Sequence, residues 1–182
     1  MEFCDLTLSL QKKNVLIMRL MRRKIDDFLK EWKENEDRLP LIVKGARQIG
    51  KTASIMQFAN DNYKNVVAIN FVLQQKFKSI FDDGYDVDSV VRNITLIDPS
   101  IELEPGNTIF FFDEMQDCPV CATSLKAFKI DGRYDVVCSG SLMGINYQEI
   151  ESNSVGYKED YTMHSMDFEE FLWAKGYDSA FV

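Results

Sequence analysis

Short apolar runs alternate along this chain with longer segments in which apolar residues recur every three or four positions. The apolar runs predict strands at residues 40–44, 65–71, 107–112, 134–139 and 159–165. The helical spacing predicts helices at residues 18–36, 51–62, 119–129 and 167–176, with further helical pieces within 73–97. Strands that alternate with helices indicate an α/β fold, in which right-handed crossovers place helices on both faces of a parallel sheet.

Length, composition and charge narrow the class of protein. The 182 residues are 46% hydrophobic, which suits one domain with a substantial core. A net charge of −8 argues against a broad nucleic-acid-binding surface. The basic residues within 19–24 alternate with apolar ones and are interpreted as a solvated helix face. An acidic start and no apolar run of membrane-spanning length predict a cytoplasmic protein with no membrane contact.

A glycine-rich segment separates the first predicted strand from the next helix. It fits the pattern G-x-x-x-x-G-K-[ST] through Gly45, Ala46, Arg47, Gln48, Ile49, Gly50, Lys51 and Thr52. Glycines let the backbone N–H groups turn toward a phosphate, and Lys51 supplies a mobile positive charge. Thr52 begins the helix, where its hydroxyl can bind Mg²⁺. The order strand, loop, helix favours a phosphate loop over a glycine-rich turn that binds nothing.

Two later strands end in polar residues that suit the same chemistry. Asp113 and Glu114 follow a buried-looking run, so we expect Asp113 to hold Mg²⁺ opposite Thr52 and Glu114 to activate the attacking water. Ser139 and Ser141 end the next strand, where a hydroxyl can sense the γ-phosphate. Helix-capping acids and an ordinary Ser-Gly-Ser turn are the alternatives.

Taken together, G-A-R-Q-I-G-K-T, I-F-F-F-D-E-M-Q-D and C-S-G-S-L resemble a family of bacterial and archaeal AAA-type ATP-binding proteins. The resemblance covers about residues 18–176. It includes Gln116 of an Asp-Glu-x-Gln pattern and Phe168, Glu170, Phe171 and Leu172 of a closing Pro-Leu-Ser-Phe-x-Glu-Phe-Leu pattern. Ser165, Met166 and Asp167 depart from the Pro-Leu-Ser of that pattern.

The resemblance implies a three-layer P-loop fold with a five-stranded sheet of order 5-1-4-3-2. It implies ATP and Mg²⁺ as ligands, a first helix near the adenine with Arg22 or Arg23 at the base, and a C-terminal domain that this chain does not contain. We therefore expect a P-loop ATPase core at residues 18–182. Residues 1–17 match nothing in the family and are interpreted as a disordered or dispensable N-terminal extension.

The predicted function is slow Mg²⁺-dependent ATP hydrolysis that acts as a switch for a protein partner or a C-terminal domain. Lys51, Glu114, Ser139 and Ser141 form the predicted catalytic set. A kinase would need an arginine-rich lid, and residues 140–182 contain no arginine. A nucleotide-gated binding module without turnover stays open, because the arginine finger could come from Arg47, Arg92, Arg133 or a neighbouring molecule.

Three other features have two interpretations each. Cys118 and Cys121, with Cys138 as a third ligand, could form a zinc or redox site, but buried thiols are favoured. The single histidine, His164, is interpreted as a packed or surface residue. The aromatic residues within 168–173 form either a core face or a docking face for a further domain.

Overall fold

A computed structural model of the protein describes residues 21–141 and 156–177. Its strands are β1 (Leu41–Gly45), β2 (Asn65–Asn70), β3 (Thr108–Asp113), β4 (Asp135–Ser141) and β5 (Glu159–Thr162). They form one sheet in the order β2-β3-β4-β1-β5, and every neighbouring pair is parallel. This is the predicted order 5-1-4-3-2 counted from the other edge, so the α/β prediction is confirmed.

Within the described residues, five helices connect the strands or flank them. They are α1 (Lys24–Glu34), α2 (Lys51–Asn62), α3 (Val87–Ile97), α4 (Cys121–Asp131) and α5 (Phe168–Ala174), with 3₁₀ turns at Gln75–Phe81 and Met115–Asp117. The first helix was predicted from residue 18, but Arg23 has an extended backbone and its N–H donates to the Asp26 carboxylate at 2.9 Å. This local bond starts α1 at Lys24 because Arg23 is held outside the helix. The predicted start at residues 18–20 and most of the predicted loop at 140–156 lie outside the described residues.

Side-chain alternation along β3 divides the core into two layers. Phe110 and Phe112 pack with the aromatic rings of Phe71, Phe81 and Phe128 on the side of α3 and α4. Phe111 faces the opposite way and joins the cluster formed by α1 and α2. A run of three phenylalanines therefore fills both faces of the sheet, as expected for a strand covered by helices on each side.

Candidate functional site

The predicted phosphate loop joins β1 to α2 at the carboxyl edge of the sheet. Gln48 and Gly50 have positive φ angles of 63° and 100°. Gly50 precedes the first residue of α2, where a left-handed backbone favours glycine. The loop therefore makes a tight turn immediately before the helix N-terminus.

Gly45 has a different role from the one that the motif suggests. A Cβ atom at this position would lie 2.4 Å from the carbonyl oxygen of Met163 and 2.7 Å from Cδ1 of Ile49. The backbone that follows β5 therefore passes too close to β1 for any side chain. The loop pattern predicts only backbone curvature for this glycine, and the close approach was not predicted.

Lys51 extends back into its own loop. Its Nζ donates to the carbonyl oxygens of Gly45 at 3.1 Å and Ala46 at 2.7 Å, and the residue is 8% exposed. Burial lowers the pKa of Lys51 below its ordinary value, and the charges of Glu114 and Asp113 oppose that shift. The ammonium is thus held inside the curl of the loop by two acceptors that an anion could replace.

Asp113 at the end of β3 connects three other elements. Its Oδ2 accepts from Thr52 Oγ1 at 3.2 Å and from Asn70 Nδ2 at 3.0 Å, while Oδ1 accepts a short hydrogen bond from Ser139 Oγ. Asp113 is buried, so these donors satisfy a carboxylate that has little access to water. The structure therefore brings together Thr52, Asp113 and Ser139, which the sequence predicted as site residues.

Asn70 was missed by the sequence analysis. It ends β2 directly beside Asp113 in the parallel register. Its Oδ1 accepts from the N–H groups of Val72 and Leu73, which orients its amide nitrogen toward Asp113. The available signal was a polar residue at the carboxyl end of a strand. The predicted strand ran to residue 71 and placed Asn70 inside it.

Glu114 leaves the strand in a different direction from Asp113. β3 ends at Asp113, and Glu114 has a positive φ of 56°. Glu114 Oε2 accepts a short hydrogen bond from Gln116 Nε2, and Gln116 Oε1 accepts from the Ser141 N–H at 3.2 Å. Gln116 therefore connects the predicted base to the end of β4. Ser139 and Ser141 enter the site differently, the first through its hydroxyl and the second through its backbone.

The donor atoms near Thr52 fit Mg²⁺. This ion prefers hard oxygen ligands, keeps several waters and usually takes one or two carboxylates together with phosphate oxygens. The Thr52 hydroxyl and the Asp113 carboxylate, 3.2 Å apart, supply such oxygens. Within residues 21–141 and 156–177, no group of three or more His, Cys, Asp or Glu side chains is arranged to hold a metal.

The three cysteines described by the structure are free and buried. Burial raises the pKa of both Cys118 and Cys121. All three thiols lie in the core cluster on the side of α3 and α4, where they pack as small apolar groups. The interpretation as buried thiols agrees with this geometry.

A cavity of about 490 Å³ opens beside the phosphate loop. Its walls include Arg23, Gly50, Ser54, Gln57 and Met166. This volume lies within the usual range of small-molecule sites. Of the two arginines considered for the base, Arg23 lines the cavity. Arg22 is absent from its walls, and instead pairs with Asp27 at 2.6 Å and lies over the ring of Trp173.

The three arginines of this chain that were considered for the role of arginine finger lie in different parts of the fold. Arg133 precedes β4, at the sheet edge opposite the loop, and pairs with Asp88 and Asp131. Arg92 lies on α3, 3.9 Å from Asp83. Arg47 is exposed on the phosphate loop itself. Of the three candidates, only Arg47 is part of the site.

The family model of the AAA domain matches residues 37–172, three quarters of the chain. This chain belongs to the AAA domain family. Membership agrees with the motifs at Gly45–Thr52 and Asp113–Glu114, and supports a nucleotide-binding P-loop domain. The predicted family resemblance is confirmed.

Two solved structures are partly similar to this chain. One is PCH-2 of C. elegans, at 11% identity and a TM-score of 0.48 over 80% of this chain and 44% of that chain. The other is the RuvB Holliday junction branch migration motor of Thermotoga maritima, at 13% identity and a TM-score of 0.47 over 78% of this chain and 45% of that chain. This AAA chain thus spans less than half of either structure's length.

A search of curated proteins finds no match to this AAA chain. In the part of the chain that the structure describes, no helix has the length and apolar character needed to cross a membrane.

Proposed function

We propose that this AAA domain binds ATP with Mg²⁺ and hydrolyses it slowly to ADP and phosphate. The observation that carries the proposal is the hydrogen bond between Thr52 Oγ1 and Asp113 Oδ2. This bond joins the start of α2, directly after the phosphate loop, to the acidic end of β3. P-loop chemistry requires this hydroxyl and this carboxylate to lie together. Lys51 and Glu114 flank that pair on either side in sequence.

Lys51 and the loop bind the triphosphate. The ammonium exchanges the carbonyls of Gly45 and Ala46 for oxygens of the β- and γ-phosphates, which carry full negative charge. Backbone N–H groups of residues 46–50 and the N-terminus of α2 add further positive potential. The cavity beside Gly50 receives the nucleoside.

Thr52 and Asp113 hold the metal. Mg²⁺, when bound, neutralises negative charge on the phosphates and so favours displacement at phosphorus. Ser139 and Asn70 keep the Asp113 carboxylate in one orientation through their hydrogen bonds. Ser139 therefore acts on the site through Asp113.

Glu114 takes the proton of the attacking water. The water oxygen forms a bond to the γ-phosphorus as the bond from phosphorus to the β–γ bridging oxygen breaks, and ADP leaves with that oxygen. Gln116 orients Glu114 and links it to the Ser141 N–H. A change at the γ-phosphate can thus reach the end of β4, which is how the domain would signal to a protein partner or a C-terminal domain.

The test is phosphate release by wild type and Glu114→Gln. The amide cannot accept the proton, so we expect turnover to stop while ATP affinity stays within about twofold. Glu102→Gln, which alters an exposed acid far along the chain from the loop, is the matched control and keeps the wild-type rate. If wild type releases phosphate above background and Glu114→Gln does so at the same rate, Glu114 is not the base.

A second candidate is a nucleotide-gated module that binds ATP without turnover. Two observations favour it: Gln116 already occupies one oxygen of Glu114, and Arg47 is the one candidate arginine on the loop among the described residues. In this case wild type binds ATP but releases phosphate no faster than Glu114→Gln, with or without added partner.

A further inference from the structure

A buried ion pair beside the phosphate loop joins distant parts of the fold. Arg23 and Glu170 are 9% and 4% exposed, and Arg23 Nε lies 3.1 Å from Glu170 Oε2. The guanidinium also donates from Nη1 to the carbonyl of Ile49 at 2.7 Å and from Nη2 to that of His164 at 2.9 Å. One side chain thus contacts the loop, the segment after β5, and α5.

Both carboxylate oxygens of Glu170 also accept hydrogen bonds from backbone N–H groups. Its Oε1 accepts from the N–H of Lys24 at 2.8 Å, and its Oε2 accepts from the N–H of Asp167 at 3.1 Å. Lys24 begins α1 and Asp167 caps α5, so one carboxylate satisfies N–H groups at the starts of two helices. The carboxylate therefore fixes Arg23 relative to both helices.

The contact with Ile49 constrains the phosphate loop directly. A peptide bond is planar and trans, so its C=O and N–H point in opposite directions. With the Ile49 carbonyl directed at Arg23, the N–H of Gly50 points away from Arg23. This peptide lies one residue before the peptide that joins Gly50 to Lys51, and its orientation decides whether the Gly50 N–H is available to an anion in the loop.

We propose that Arg23 is a positioning residue for nucleotide binding, held by Glu170, and that it orients the peptide between Ile49 and Gly50. Through this ion pair the position of the phosphate loop is coupled to the position of α5. A bound nucleotide and a displacement of α5 then affect each other through this pair. The inference rests on the proposed nucleotide binding, but its effect on the loop exists without nucleotide.

The experiment compares Arg23→Met, Arg23→Lys, Glu170→Gln and the double variant Arg23→Met/Glu170→Gln. Lys24→Met is the matched control, because Lys24 is the adjacent cation but its pairs with Asp167 and Glu169 are half exposed. Two measurements are made on each protein: amide hydrogen exchange of residues 46–51 without nucleotide, and the dissociation constant of Mg-ADP. The melting temperature is recorded for each.

Arg23→Met should speed exchange at residues 46–51 and weaken Mg-ADP binding about tenfold, the fold-change typical of coupling between contacting residues. Glu170→Gln should act in the same direction. Glu170 does not line the cavity, and the double variant tests whether its effect passes through Arg23 or through the helix starts that it caps. Arg23→Lys should lose less Mg-ADP affinity than Arg23→Met. The double variant should lose less affinity than the sum of the two single variants, and Lys24→Met should match wild type in both measurements.

Folded Arg23→Met protein with wild-type loop exchange overturns the inference, whatever its affinity. If wild type binds no nucleotide, the proposed function fails, but loop exchange still decides the positioning role. If exchange rises equally across the whole chain, or if every variant of the pair is unfolded, the pair serves folding alone and the positioning role is rejected.

Discussion

Replacing Gly45 with alanine tests whether the close approach of β1 and the backbone after β5 is a requirement of the fold. The new methyl group would lie 2.4 Å from the Met163 carbonyl oxygen, so one of the two backbones must move by about 0.6–1 Å to reach ordinary contact. A backbone oxygen cannot rotate away as a side chain can. The Met163 N–H also donates to the Lys44 carbonyl at 2.7 Å, and that bond resists the movement.

Three effects add to the cost. Stretching the bond between Met163 and Lys44 costs about 1 kcal/mol, displacing Ile49 from its rotamer about 1 kcal/mol, and the remaining overpacking a similar amount or more. We therefore expect Gly45→Ala to lower the free energy of unfolding by about 2–4 kcal/mol. At this chain length the melting temperature should fall by roughly 5–15 °C.

The assay is urea unfolding monitored by circular dichroism, with the slope against denaturant checked for constancy. Gly106→Ala is the control, since a Cβ there meets nothing within 4 Å and reports only the strain of its φ of +79°. Adding Ile49→Ala to Gly45→Ala should not restore stability, because the Met163 carbonyl remains. A Gly45→Ala protein within about 1 kcal/mol of wild type would refute the steric account.

Two further predictions concern the charged groups of the site. Asp113→Asn should weaken ATP binding by about 1.5–3 kcal/mol in the presence of Mg²⁺ and much less in EDTA, because the lost carboxylate is the proposed metal ligand. Titrations in both buffers measure this, and an equal loss in both contradicts it. ATP affinity should also fall as the pH rises, and the fall should begin below pH 10.5, the ordinary pKa of lysine, because burial lowers the pKa of Lys51. Phosphate binds the protonated ammonium, so binding at a pH above the pKa of Lys51 requires uptake of a proton. Dissociation constants measured between pH 7 and 10.5 check this, and a constant affinity over that range contradicts it.

The sequence predicted those parts of the site that depend on the order of strands, loops and helices along the chain. The helix at Lys51–Asn62 has the predicted bounds, because the loop pattern and the helical spacing meet at one residue. The sheet order followed from the family resemblance. Asp113, Thr52 and Ser139 lie together because the carboxyl ends of parallel strands share one edge of the sheet.

The α5 helix shows what pattern alone could not predict. Its aromatic spacing suggested a core or docking face, and the core interpretation is wrong for two of the aromatic residues: Phe168 is 71% exposed and Phe171 45%, while Glu170 between them is buried. The burial of Glu170 depends on Arg23 and Lys24, which lie far away in sequence. Hydrophobic periodicity contains no information on such a distant charge partner.

The most direct test of the central claim is a calorimetric titration of Mg-ATP into wild type and Lys51→Ala. If the loop binds the phosphates, wild type binds with measurable heat. Loss of the buried ammonium should then weaken affinity about thirtyfold or more, from the 2–5 kcal/mol that truncating one member of a buried charge pair costs. The two proteins should have the same circular dichroism spectrum. Equal affinities, or no binding by folded wild type, would contradict nucleotide binding at Gly45–Thr52.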